Sequence, residues 1–345
     1  MLISDFDFVL PEELIAQRPA AQRDASRMLV VNRAAGDWVE QVFTDFPTHL
    51  QAGDVLVINN TKVFPARLAG HREPSGGRVE LFLVRELEPL TWETLARPGR
   101  RLQPGQKVSF GAGRLRGEVL QVLADGRRIV KFSGAGSFAE TLEAIGQTPL
   151  PPYIKRAGGD SAADRERYQT VYAEQRGAIA APTAGLHFTP PVFAALQERG
   201  VQVVAITLHV GYGTFEPVRV TDISEHRVSS ERYTITPEAA AIINTARTGG
   251  GRIFAVGTTT TRALETATND EGQVIAGTGE AGLTITPGYR FRAVDALLTN
   301  FHLPQSSLLL LVSAFAGREL VLAAYRHAVA SRFRFYSYGD CMLLR

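Results

Sequence analysis

Val203-Val-Ala-Ile-Thr-Leu-His209-Val-Gly-Tyr-Gly-Thr-Phe215 is an apolar run that stops on a histidine among glycines and threonine. Three further stretches share its form. Ala178-Ile-Ala-Ala-Pro-Thr-Ala-Gly-Leu-His187-Phe and Ala296-Leu-Leu-Thr-Asn-Phe-His302-Leu-Pro304 also end on histidine. Arg252-Ile-Phe-Ala-Val-Gly257 exits into Thr258 to Thr261 and Arg262. Continuous apolar runs of this length predict strands covered on both faces. Polar, glycine-rich exits from such strands are where α/β sheets and barrels place their chemistry. Four exits in one half of a chain predict a single assembled site, and an enzyme.

Helical patterns separate these strands at Pro190–Arg199, Pro237–Arg247, Thr259–Ala267 and Arg318–Ala330, several opening on proline and closing on glycine. Between Thr61 and Gly136 the character changes. Short alternating runs recur there between Pro98-Gly99, Pro104-Gly105, Gly111-Ala-Gly113 and Asp125-Gly126 turns, the signature of a small antiparallel barrel. The expected fold class is therefore mixed α/β. A large α/β domain (1–60 and 137–345) would carry an inserted small antiparallel β-barrel domain (61–136). Residues 157–164 read as a loop.

The 345 residues are 45% hydrophobic and 21% charged, an ordinary globular balance. No apolar run reaches bilayer length, and the first residues lack a basic segment followed by a long apolar one. Cys341 is the sole cysteine. A cytoplasmic monomer without membrane contact is the expectation. Net charge is only +2, but residues 61–131 hold 14 basic and 7 acidic side chains against 4 and 9 in residues 1–60. That asymmetry suits an anionic polymer, or simply charged barrel faces.

His187, His209, His226 and His302 are candidates for proton transfer near neutral pH. No pair has metal-ligand spacing, so no metal is expected. Thr258, Thr259 and Arg262 open a helix and suit a carboxylate or phosphate; a plain threonine cap is the competing reading. Neither a P-loop nor a G-x-G-x-x-G turn is present. Asn60, Lys62 and Arg67 follow a strand at the domain junction, where they fit phosphate or base contact, or a hinge. Tyr153, Lys155 and Arg156 end a proline-stiffened segment; they suit an unpaired nucleotide, or a rigid linker.

Taken together, several stretches resemble the S-adenosylmethionine:tRNA ribosyltransferase-isomerase family of queuosine synthesis. They include Leu10-Pro-Glu-Glu-Leu-Ile-Ala-Gln-Arg-Pro19, Asn60-Thr-Lys-Val-Phe-Pro-Ala-Arg-Leu68, Pro149-Leu-Pro-Pro-Tyr-Ile154, Ala181-Pro-Thr-Ala-Gly-Leu-His-Phe188, Leu208-His-Val-Gly-Tyr-Gly-Thr-Phe215, Thr299-Asn-Phe-His-Leu-Pro304 and Tyr336-Ser-Tyr-Gly-Asp340. The resemblance implies transfer and rearrangement of the ribosyl moiety of S-adenosylmethionine onto 7-aminomethyl-7-deazaguanine at the tRNA wobble position. Adenine and methionine would leave. S-adenosylmethionine is then the co-substrate, and the partner is the anticodon arm of that tRNA.

An amine with a pKa near 10 needs a base at pH 7, a C5′ proton must be removed beside the sulfonium, and adenine departs best when protonated. His187 and His209, with His302, Glu225 and His226, would serve these transfers. Thr183, Gly185, Gly211, Gly213 and Thr214 would line the co-substrate site with Thr258, Thr259 and Arg262, and Tyr212 or Phe215 would stack on adenine. The chain departs from the family pattern at Ser229, where a second histidine is usual, and no role is assigned to it. A tRNA methyltransferase, or a tRNA-binding module without activity, are the competing functions.

Overall fold

The computed structural model describes residues 1–156, 161–211, 213 and 218–345. Seventeen strands occur among them. In chain order they are β1 (Arg27–Asn32), β2 (Asp37–Val42), β3 (Val55–Asn59), β4 (Thr61–Val63), β5 (Arg67–Glu73), β6 (Arg78–Glu88), β7 (Thr91–Arg97), β8 (Lys107–Phe110) and β9 (Leu115–Val122). There follow β10 (Arg128–Gly134), β11 (Gln175–Ala178), β12 (Gln202–Leu208), β13 (Glu231–Ile235), β14 (Ile253–Val256), β15 (Gly277–Ala281), β16 (Ala296–Asn300) and β17 (Cys341–Leu344). The helices are α1 (Phe138–Ile145), α2 (Ala162–Arg167), α3 (Pro190–Glu198), α4 (Pro237–Thr248), α5 (Thr258–Ala267), α6 (Ser307–Ala316) and α7 (Arg318–Ala330).

The predicted apolar strands sit at the centre of a nine-stranded sheet of order β15-β13-β12-β3-β14-β16-β17-β1-β2. β12, β3, β14 and β16 are mutually parallel. Every residue of β3, β14 and β16 is buried, as strands with both faces covered must be. Antiparallel pairs flank this core: β12 with β13 on one side, β16 with β17 on the other. The carboxyl ends of the four parallel strands therefore lie along one edge. β17 runs the other way, so its start at Cys341, paired with Asn300, brings the Tyr336–Asp340 turn to that same edge.

β5 to β10 close into a six-stranded antiparallel barrel, in the order β10-β7-β6-β5-β8-β9. Its inward residues alternate along every strand but β7 (Leu81, Leu83, Val108, Phe110, Val119, Val130, Phe132) and form a core of their own. Phe64, Leu142 and Ile179 join that core from outside the barrel strands. Short β4 pairs with β11, apart from both sheets.

Three local expectations differ from the structure. Pro11–Gln17, with proline and two acids in its first turn, reads as a short helix, but it forms only a single 3-10 turn at Glu12–Leu14, because the segment is too short to reward α-helix nucleation. Part of the 157–164 loop is helix: Ser161 caps α2 through a capping box with Asp164, while 157–160 lie outside the described residues. The alternating aromatics of 332–340 read as packing on a strand face; Phe333 and Phe335 are buried, but no strand forms, and Arg332 and Tyr336 adopt positive φ, which bends the chain before β17. Among the described residues no single helix is long and apolar enough to cross a membrane.

Candidate active site

The strand exits are tied together by buried polar side chains. Asn59 at the end of β3 is fully buried. Its Nδ2 donates to Leu208 O at 2.9 Å, and its Oδ1 accepts from the N–H groups of Leu208 (3.0 Å) and Thr61 (3.1 Å). One side chain thus clamps the ends of β3 and β12. At the end of β16, Asn300 accepts from Thr183 Oγ1 at 2.9 Å and donates to Tyr336 O at 3.2 Å. Both amides complete hydrogen bonds that ladder pairing cannot supply where strands stop.

Two cavities open along this edge. The smaller is narrow, about 560 Å³ with its open mouth but only about 50 Å³ where a water fits. Thr183, Thr258, Thr259 and His302 line it, with Tyr168 and Asn300. Gly257 caps α5 at φ 91°, a left-handed turn that suits glycine. Thr261 N–H is the first to bond back, to Gly257 O at 3.1 Å. The Thr258, Thr259 and Thr260 N–H groups therefore have no partner within the helix and mark its positive end. Thr260 and Thr261 hydroxyls donate back to Val256 O and Gly257 O, which separates them from the two threonines that line the cavity.

His302 is buried, with Nε2 3.0 Å from Thr299 Oγ1. Burial drives its pKa down to about 3, so the ring is neutral at physiological pH. It offers a hydrogen bond rather than a charge.

The second cavity is a cleft of about 2860 Å³ between the sheet edge and the barrel, measured with its open mouth. His209, Gly211 and Gly213 line its sheet side, and the barrel wall runs from Val84 to Glu93. Its charged lining is mixed: Arg85, Arg127, Arg176 and Arg232 stand among Glu86, Glu88, Glu93, Asp125, Glu231 and Glu280, and Glu93 pairs with Arg85 and Arg127. His209 follows β12, with Nδ1 2.9 Å from Thr61 Oγ1. That hydroxyl is itself 3.4 Å from Gln175 O. If the hydroxyl donates to that carbonyl, Nδ1–H donates to the hydroxyl and Nε2 carries the lone pair. Burial, then the Arg232 charge, hold the His209 pKa below the usual imidazole value. Val210 lines both cavities, so they adjoin there.

The remaining expected residues lie elsewhere. His187 reaches neither cavity. It is buried against Phe43, with Nδ1 and Nε2 each 3.1 Å from a backbone carbonyl, Ala184 O and Gly339 O. Burial lowers its pKa, opposed by those two contacts. Gly185 packs against Tyr172, whose hydroxyl leaves no room for a Cβ. His226 is buried one layer back, its Nε2 2.7 Å from Ser307 Oγ at the start of α6; burial lowers its pKa also. Glu225 is exposed.

Arg262 is not open to an anion. Its guanidinium donates to Glu231 Oε2 (2.7 Å) and to the carbonyls of Ala281 (2.6 Å), Ser229 (3.2 Å) and Leu283 (3.2 Å). Tyr212, Thr214 and Phe215 lie outside the described residues.

The expected RNA contacts are mostly used within the fold. Asn60 bonds Glu174 and Thr207, and Arg67 leans on Leu150 O and Glu80. Tyr153 sits edge-on to Tyr336 with centroids 4.0 Å apart, and its hydroxyl bonds Ser337. Arg156 grips Asp164 through Nε (2.9 Å) and Nη2 (2.8 Å), and this hydrogen-bonded guanidinium holds the Asp164 pKa at about 2. Lys155 makes an exposed pair with Glu12, and Lys62 is exposed. Proline stiffness and aromatic-basic composition could not distinguish these packed corners from a nucleotide platform.

Sequence reasoning missed Glu231. It is a carboxylate 4% exposed in the cleft wall, but it sits in the charged run Glu231-Arg-Tyr, which reads as an ordinary edge strand. Among the described residues, no group of three or more His, Cys, Asp and Glu side chains is placed to hold a metal ion.

Comparisons with known proteins agree with this architecture. The family model described as queuosine biosynthesis protein matches residues 3–344. S-adenosylmethionine:tRNA ribosyltransferase-isomerases from Symbiobacterium thermophilum and Moorella thermoacetica are 53% and 52% identical, each over the full length of both chains. The crystal structure of an S-adenosylmethionine tRNA ribosyltransferase from Thermotoga maritima superposes with a TM-score of 0.57 at 36% identity, covering 99% of this chain and 100% of that one. The chain belongs to the queuosine-biosynthesis family of S-adenosylmethionine:tRNA ribosyltransferase-isomerases.

Proposed function

We propose that the protein transfers and isomerises the ribosyl moiety of S-adenosylmethionine onto 7-aminomethyl-7-deazaguanine at the wobble position of tRNA, giving epoxyqueuosine-tRNA with release of adenine and methionine. The observation that carries this reading is the pair of adjoining cavities that share Val210 in their walls. One is lined by Thr183, Thr258, Thr259, Asn300 and neutral His302. The other is wide and open, as an RNA loop requires.

In this reading the methionine carboxylate lies at the α5 N-terminus, on the Thr258 and Thr259 hydroxyls and the free N–H groups. Thr183 and neutral His302 hydrogen-bond the same molecule. His209, at the boundary with the cleft, is the base that frees the amine or takes the C5′ proton. Its lowered pKa keeps the lone pair available at neutral pH. His226 and Glu225 act at one remove, through the α6 start and the surface. His187 holds the Gly339 turn and the 184–187 turn together, a structural part. No step needs a metal.

The same proposal takes 61–136 as an inserted domain on a 1–60 and 137–345 catalytic domain, and the protein as a cytoplasmic monomer. Chromatography of the small-molecule products tests the reaction. Adenine and methionine in equal amounts, formed only when both S-adenosylmethionine and the aminomethyl-deazaguanine tRNA are present, would support it. S-adenosylhomocysteine would identify a methyltransferase instead.

A further inference from the structure

The loop that carries His209 leaves β12 at a sheet position where ladder pairing ends. The last registered pair of β12 with β13 is Leu208 with Tyr233, and one further bond joins His209 N–H to Arg232 O at 3.0 Å. Beyond it the loop is held by a side chain. Gly211 N–H donates to Glu231 Oε1 at 2.8 Å. The other carboxylate oxygen of Glu231 accepts from Arg262 Nη1 at 2.7 Å. The ion pair is buried, with side chains 3% and 9% exposed.

Arg262 lies four residues after Thr258, on the same face of α5. Thr258 lines the small cavity, and Glu231 lines the cleft. One helix therefore carries both a wall of the small cavity and the anchor of the loop in the cleft. Arg262 is fixed by three further carbonyls from two separate segments, so the anchor has little freedom to swing.

We propose that the Arg262–Glu231 pair is a positioning device. It sets the Gly211 turn, and through it His209, at a fixed distance from the reacting end of the molecule held at the α5 N-terminus. The inference rests on the assignment of the two cavities made above. A buried pair adds little stability over apolar residues of similar volume, so stability alone gives such a pair little reason to be there. A displacement of about 1 Å between reacting groups is enough to slow turnover by ~10²-fold.

The test compares Glu231→Gln and the double variant E231M/R262M with the wild type. Each is measured for kcat, for KM toward S-adenosylmethionine and toward tRNA, and for the urea midpoint. Glu231→Gln turns an amide N–H₂ or a lost acceptor toward one partner. The double variant removes both charges and avoids an unpaired buried ion.

Expected is a kcat per folded molecule at least ~10-fold lower in both, with both KM values within about threefold, since binding groups remain in place. A double variant with wild-type kcat overturns the proposal. So does a loss of activity that only tracks the folded fraction, which would mark a purely structural pair. A wild-type enzyme that releases no adenine would instead remove the functional reading beneath it.

Discussion

Replacing His302 by Gln should flatten the acid side of the stability curve. Burial holds the His302 pKa at about 3 in the folded chain, against about 6.5 when the chain is unfolded. The unfolded state therefore binds the proton first as pH falls. The contribution of neutral His302 is fully present above about pH 6.5, shrinks as pH drops through that value, and is lost by the time pH approaches 3. Each pH unit in this window costs about 1.4 kcal/mol, so at pH 5 the wild type should have lost roughly 2 kcal/mol through this one group. His187 titrates in the same direction, also lowered by burial, but it is present in both proteins and cancels in the difference.

The assay is urea unfolding of wild type and His302→Gln at pH 7.5, 6.5, 5.5 and 5.0. At pH 7.5 the variant should be less stable, because Gln cannot keep the Thr299 contact and fill the ring's space together. That deficit should narrow by ~2 kcal/mol by pH 5. Parallel curves for the two proteins would refute the reasoning, since they would mean that His302 takes up its proton in the folded state at an ordinary pH.

Further outcomes are expected at the other side chains of the two cavities and of the RNA-facing surface. His209→Gln should lower kcat by ~10²-fold or more, and the acid limb of wild-type kcat/KM should fall below pH 6.5, because the base must stay deprotonated and its pKa is lowered; initial rates across pH check both. Thr258→Val with Thr259→Val should raise KM for S-adenosylmethionine several-fold and leave tRNA affinity unchanged by titration, whereas His187→Gln should lower the unfolding midpoint and leave the acid limb in place. Affinity for tRNA should fall steeply with salt; Lys62→Ala should reduce that slope by about one, while Arg156→Ala should weaken the Asp164 corner without changing the slope.

The parallel core was legible because β3, β14 and β16 carry an unbroken apolar signal, and the barrel because its strands alternate between glycine and proline turns. β17 escaped notice: Cys341-Met-Leu-Leu344 is four residues at the chain's end, too short to show a period. α6 was hidden for the opposite reason. Its apolar run, Leu308 to Val312, is buried on nearly every side and shows no polar face. Within the site, histidine position alone did not separate roles. His187, His209 and His302 end similar runs, yet only His209 and His302 reach a cavity. The distinction depends on which strand each run joins and what packs beside it. Arg262 misled for a related reason: its four acceptors come from Ser229, Glu231, Ala281 and Leu283, up to 33 residues away.

Hydrogen–deuterium exchange with each substrate in turn addresses most directly the claim that both meet at one edge of the sheet. S-adenosylmethionine should slow exchange at 257–260 and 299–303, and tRNA should slow it at 84–93, 175–178 and 209–211. Protection by either ligand confined to the opposite edge, around 50–55 and 250–253, would contradict the account.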